Sequence, residues 1–131
     1  MARFAAALFA LSTLLCAATA SPVDLEKRVT HSGRGTWFDT GLGACGWTNV
    51  NTDKIIAISS SIYGSGTNCG QYIQITNTAN GKTAYGTVAD SCPGCGASDL
   101  DLTPSLFEEL GDLSEGVLAI SWHFENKDFS L

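Results

Sequence analysis

The chain has 131 residues, 44% of them hydrophobic, with 13 Asp and Glu against 7 Lys and Arg, for a formal net charge of −6. That length allows one compact domain once export signals are set aside, and the acidic balance argues against nucleic acid or an acidic membrane surface as a partner. It suits an extracellular protein that meets neutral sugars or cationic partners.

Residues Met1 to Ala20 carry one early cation, Arg3, then an apolar run from Phe4 to Ala18 and the small-residue ending Ala18-Thr19-Ala20. This pattern predicts a secretory signal peptide over residues 1–20, and hence an extracellular location. The run is shorter than the roughly 20 residues that span a bilayer, so no membrane anchor is expected. Residues 21–28 end in the dibasic pair Lys27-Arg28 and read as a pro-segment, or else as an uncleaved tail. Residues 29–131 are then expected to form a single domain, monomeric by default at this size.

Gly35-Thr36-Trp37-Phe38 is a short aromatic strand, broken by Gly41, Gly43 and Gly46 before Trp47. Lys54 to Ser59 is almost continuously apolar and predicts a strand buried on both faces, followed by a turn at Gly64-Ser65-Gly66. From Gln71 to Asn77 apolar and polar residues alternate, Asn80-Gly81 supplies a hairpin turn, and Thr83 to Asp90 resumes the strand pattern. Thr103-Pro104 reads as an N-cap with Pro at the first helical position. Leu106, Phe107 and Leu110 form the apolar side of that helix, and Gly111 stops it. Gly116 to Phe124 returns to strand, and the polar tail from Glu125 is expected to fray. His31, in a start expected to be disordered, and His123, a lone imidazole, are assigned no role.

Cys16 falls within the signal peptide, leaving Cys45, Cys69, Cys92 and Cys95, an even number for an oxidising compartment. Three pairings are possible, and the nearness of Cys92 to Cys95 favours joining those two and Cys45 to Cys69. No second Cys-x-x-Cys or paired His accompanies Cys92-Pro93-Gly94-Cys95, so neither a metal nor a cofactor is expected.

Several pieces stand in fixed order: Gly35-Thr36-Trp37-Phe38, Gly43-Ala44-Cys45-Gly46, Asn68-Cys69-Gly70, Val88-Ala89-Asp90-Ser91-Cys92, Asp99-Leu100-Asp101-Leu102-Thr103 and the closing strand to Trp122. Together they resemble the double-psi β-barrel superfamily of RlpA-like proteins, the first domain of expansins, fungal loosenins, barwin-like proteins and family 45 endoglucanases. Lacking the second domain of full expansins, the chain looks most like single-domain loosenins and the relatives called riboflavin aldehyde-forming enzymes, although no flavin or metal motif supports a redox role. The resemblance implies a mostly β fold, a six-stranded double-psi β-barrel with one or two short helices, and a groove in which a glycan can lie.

By that resemblance Asp101 matches the catalytic acid of the family 45 hydrolases, and Asp90 an aspartate that expansins present to the groove. Thr36 and Phe38 match a groove-lining Thr and Tyr, with the hydroxyl lost at Phe38. Asp39 falls where the hydrolases carry their base, and two carboxyl groups are what glycoside hydrolysis needs. Of Trp37, Trp47, Tyr63, Tyr72 and Tyr85, two are expected to face sugar rings, with Trp47 and Tyr63 the best placed. The implied function is binding and non-hydrolytic loosening of cell-wall polysaccharide, cellulose or chitin. The alternatives are a weak endoglucanase using Asp101 and Asp39, or an inhibitor of papain-like proteases or defence effector.

Overall fold

The computed structural model describes residues 29–131; the predicted signal peptide and pro-segment lie outside the described residues. Its elements are β1 (His31–Trp37), β2 (Ile55–Ser59), α1 (Ser60–Tyr63), β3 (Tyr72–Asn77), β4 (Thr83–Cys92), β5 (Leu100–Leu102), α2 (Pro104–Glu108), a 3-10 turn Leu113–Glu115 and β6 (Leu118–Phe124). The strands close into a barrel in the order β1-β5-β2-β4-β3-β6. Two neighbouring pairs, β1 with β5 and β2 with β4, run parallel, and the remaining pairs are antiparallel. A closed barrel leaves no edge strand to pair with another chain.

Period-two alternation builds the interior. Ile73 and Ile75 of β3, Ala84 and Val88 of β4, Leu100 and Leu102 of β5, and Ile120 and Trp122 of β6 all point inward and are buried. In β2 every residue is buried, with Ile56 and Ile58 in the central cluster. The helix α2 closes one end of the barrel by inserting Leu106 and Phe107, with Leu110 just beyond it. Gly86 makes this possible, because a Cβ there would lie 2.5 Å from Leu106 Cδ2.

Four local expectations need correction. The tail does not fray at Glu125: its N–H donates to Tyr72 O, Gln71 Nε2 donates to Glu125 O, and Phe129 packs on Tyr72 and Tyr85. His31 is not disordered but opens β1, its ring stacked 4.1 Å from that of Trp122, and burial lowers its pKa. Thr103 occupies the N-cap position of α2 without capping it, since its Oγ1 accepts from Ile55 N on the neighbouring strand β2. The strand expected to end at Asp90 continues to Cys92.

Candidate functional site

The segment Asp99-Leu100-Asp101-Leu102 decides the site. Leu100 and Leu102 are drawn into the core, so alternation turns Asp101 to the outer face of β5. There the ladder sets Asp101 opposite Thr36 on β1 and opposite Ala57 on β2. Ala57 in turn stands opposite Asp90 on β4. Residues paired across a ladder share a face, so Thr36, Asp101, Ala57 and Asp90 form one row across four strands.

Asp90 reaches that row through a register shift between Ile56 and Ala57, which leaves Ala89 as an extra residue in β4. Unshifted pairing would set Asp90 opposite Ile58, on the core side. The bulge reverses its direction, a use of bulges common beside functional sites. Asp90 Oδ1 then accepts from Ala44 N and Ser91 N, both at 2.8 Å. The loop carrying Ala44 lies tightly on β4: a Cβ on Gly43 would be 2.4 Å from Ala89 O, and Cys45 N donates to that same oxygen. The Cys45–Cys69 disulfide clamps the loop, and Cys92–Cys95 ties the end of β4 to the following turn.

Thr36 Oγ1 donates to Asp101 Oδ1 at 2.9 Å. Burial pushes the Asp101 carboxyl above its ordinary range and the negative charge of Asp90 adds to this, while hydrogen bonds from Thr36 and the Leu102 backbone oppose the rise. The arrangement therefore shifts Asp101 towards its protonated form, the form that can donate a hydrogen bond.

Phe38 continues the β1 ladder through its N–H to Leu102 O and, by alternation, shares the side of Thr36. Trp47, 47% exposed, sits on the loop whose Ala44 N–H binds Asp90, with its ring against Gly70. Tyr63 instead packs against the core, its hydroxyl 3.7 Å from Cys69 Sγ. Asp39 is exposed, and its Oδ1 accepts from Asn51 Nδ2 at 3.0 Å; among the described residues no hydrogen bond links it to Thr36, Asp90 or Asp101. No group of three or more His, Cys, Asp or Glu among the described residues could hold a metal ion.

Sequence reasoning missed the Ala44 amide, the spacer Ala57 and the bulge at Ala89. The glycine of Gly43-Ala44-Cys45-Gly46 was a usable signal for a backbone approaching β4; nothing in the sequence marks the bulge.

No protein-family model matches the chain. Among relatives, it is 30% identical over 132 residues to the papain inhibitor of Streptomyces mobaraensis, covering 93% of this chain and 92% of that protein. Among solved structures, an Asp-to-Asn mutant of Clavibacter michiganensis expansin in complex with cellohexaose superposes with a TM-score of 0.69 at 28% identity, over 79% of this chain and 54% of that one. The chain belongs to the expansin-like double-psi β-barrel family. This expansin-like chain is also 36% identical over 113 residues to the allergen Asp f 7 homolog of Arthroderma benhamiae, across 71% of its own length. It spans 38% of that relative and 36% of the Aspergillus fumigatus allergen Asp f 7.

Proposed function

We propose that this protein is secreted, binds cell-wall polysaccharide such as cellulose or chitin along the Thr36–Asp101–Asp90 face, and loosens its non-covalent packing without cutting bonds. The observation that carries the proposal is the Asp101 carboxyl, half-buried, hydrogen-bonded to Thr36 and biased towards its protonated form. A protonated carboxyl presented on an outer strand face can donate to a sugar oxygen and replace a hydrogen bond between polymer chains. Cellohexaose bound to the Clavibacter expansin supports a β-glucan as ligand. Asp90 would accept from sugar hydroxyls beside it, and Phe38 and Trp47 would offer apolar surface to sugar rings. Two disulfides and the predicted signal peptide support an extracellular setting.

Bond cleavage would need a second carboxylate to activate water, about 6.5–9.5 Å from the acid in an inverting enzyme. Asp39 is engaged with Asn51 and begins a loop, which favours the non-hydrolytic reading. The test is a pull-down of the purified protein on cellulose, chitin and xylan, with soluble sugar assayed in the same tubes. Binding without release is expected. Release that disappears in Asp39→Ala would replace this reading with hydrolysis, and failure to bind any of the three would remove it.

A second reading rests on one observation: the papain inhibitor matches over 92% of its own length, the expansin over 54%. Inhibition of a papain-like cysteine protease is therefore the rival function. A titration of papain decides it, and full protease activity at micromolar protein would exclude it.

A further inference from the structure

A second surface lies on the outer side of the β3–β4 hairpin. Inward alternation of Ile73, Ile75, Ala84 and Val88 leaves Tyr72, Gln74, Thr83, Tyr85 and Thr87 facing out. Two contacts fix the Tyr85 ring: Gln74 Nε2 donates to its hydroxyl at 2.8 Å, and Phe129 stacks on it at 5.6 Å with an interplanar angle of 23°. Phe129 also meets Tyr72 edge-on at 5.5 Å. Beside these rings is a depression of about 590 Å³ whose lining includes Tyr72, Tyr85, Thr83, Thr87, Lys54 and Glu109, with the exposed Leu131 adding apolar surface at its side. Lys54 and Glu109 are paired across 3.3 Å, and Lys54 Nζ also donates to Ser105 O. None of Thr36, Asp90 or Asp101 lines this depression.

The lining selects a chemistry. Aromatic rings held in place offer apolar surface without loss of side-chain freedom on binding. Around them stand hydroxyls that donate and accept, a carboxylate that accepts and an ammonium that donates. The charges of Lys54 and Glu109 cancel, so neither an anion nor a cation is favoured. A purely apolar ligand would desolvate Thr83, Thr87 and the ion pair without replacing their hydrogen bonds. A molecule with an apolar ring face and a rim of hydroxyls, uncharged, satisfies every group, and the volume falls within the range of about 300–1,000 Å³ typical of small-ligand sites. We propose that this depression is a second binding surface for neutral pyranose sugars, separate from the Asp101 face.

For the identity of the polymer, the proposal rests on the glycan reading above; the pocket chemistry stands by itself. Thr87 and Asp90 are three residues apart on β4, about 10 Å along a strand, so one strand carries both surfaces. The hairpin surface would hold the protein on its polymer while the Asp101 face acts, contributing avidity and no chemistry.

The experiment is an amide NMR titration of the purified protein with cellohexaose, alongside cellulose pull-downs of Tyr85→Ala and Asp101→Asn. Shifts are expected in two groups, one at Lys54 and Thr83 to Thr87 and one around Thr36, Asp101 and Ala44. Tyr85→Ala is expected to bind cellulose about tenfold more weakly. Shifts confined to the Asp101 group, with Tyr85→Ala binding like wild type, would overturn the second surface and leave the glycan reading intact. Shifts confined to the hairpin would support the second surface and remove the Asp101 face as a binding site. No shifts in either group would overturn both for this sugar.

Discussion

Asp99 and Asp101 lie two residues apart, and the fold shifts their pKa values in opposite directions. At the corner before β5, Asp99 accepts from Arg34 N at 2.9 Å, from Gly96 N at 3.1 Å and from the Arg34 guanidinium at 3.4 Å. The Arg34 backbone hydrogen bond is the main cause of a pKa below the ordinary carboxylate range. In the middle of β5, burial is the main cause of an Asp101 pKa above that range. One carboxylate is a structural acceptor favoured in its ionised form, and the other is shifted towards its protonated form. Composition and spacing do not distinguish them; the aimed N–H donors at one and the burial of the other do.

The largest effect is expected at the structural end. In Gly33→Ala the new Cβ would lie 2.1 Å from Ser98 O, a backbone atom that must move and take the Asp99 corner with it. A loss of about 3 kcal/mol is expected in denaturant unfolding, at the upper end for overpacking. Asp99→Ala, which leaves the exposed Arg34 and Gly96 amides to water, should cost about 0.5–1.5 kcal/mol by the same measurement.

Asp101→Asn should behave in the opposite way. A carboxyl with a raised folded-state pKa binds its proton more tightly when folded than when unfolded. Wild type therefore carries a stability cost at neutral pH, relieved as the pH falls through that raised value. The variant lacks the cost, so it should be the more stable of the two at neutral pH, with the difference shrinking on acidification. Asp99 has the reverse sign: its contribution is present above the unfolded pKa and is lost as the pH falls through its lowered folded value. Unfolding of wild type and both Asn variants at several pH values checks the pair, and matching profiles for Asp99→Asn and Asp101→Asn would break the comparison. The smallest effect is expected at Asp39, exposed and, among the described residues, hydrogen-bonded to Asn51 alone: Asp39→Ala should change stability by no more than about 0.5 kcal/mol and leave polysaccharide binding unchanged.

Much of the barrel was legible because burial imposes strict patterns. The all-buried β2, the alternation through Tyr72 to Asn77, and Leu106, Phe107 and Leu110 beside Pro104 each had one reading. The strand β5 was not read as one from its own pattern, although Leu100 and Leu102 alternate with Asp99 and Asp101. Three residues are too few to outweigh the aspartates on strand propensity. Long-range events left no local trace. Phe129 looked like part of a polar tail because its partners, Tyr72 and Tyr85, are more than forty residues away. Thr103 had the residue type and position of a cap, and its hydroxyl was taken by Ile55 N of another strand. Of the proposed groove residues, Thr36, Asp90 and Asp101 meet through register, which the bulge at Ala89 sets and the sequence does not announce.

The central claim is that Asp101 acts on polysaccharide by holding a proton rather than by cutting bonds. Its most direct test is mechanical weakening of cell-wall material by wild type and Asp101→Asn, compared at equal amounts of bound protein across mildly acidic to neutral pH, with soluble sugar measured in parallel. Wild type is expected to weaken the wall more as the pH falls, the variant little or not at all, and neither to release sugar. Equal weakening by both proteins, or weakening that tracks released sugar, would contradict it.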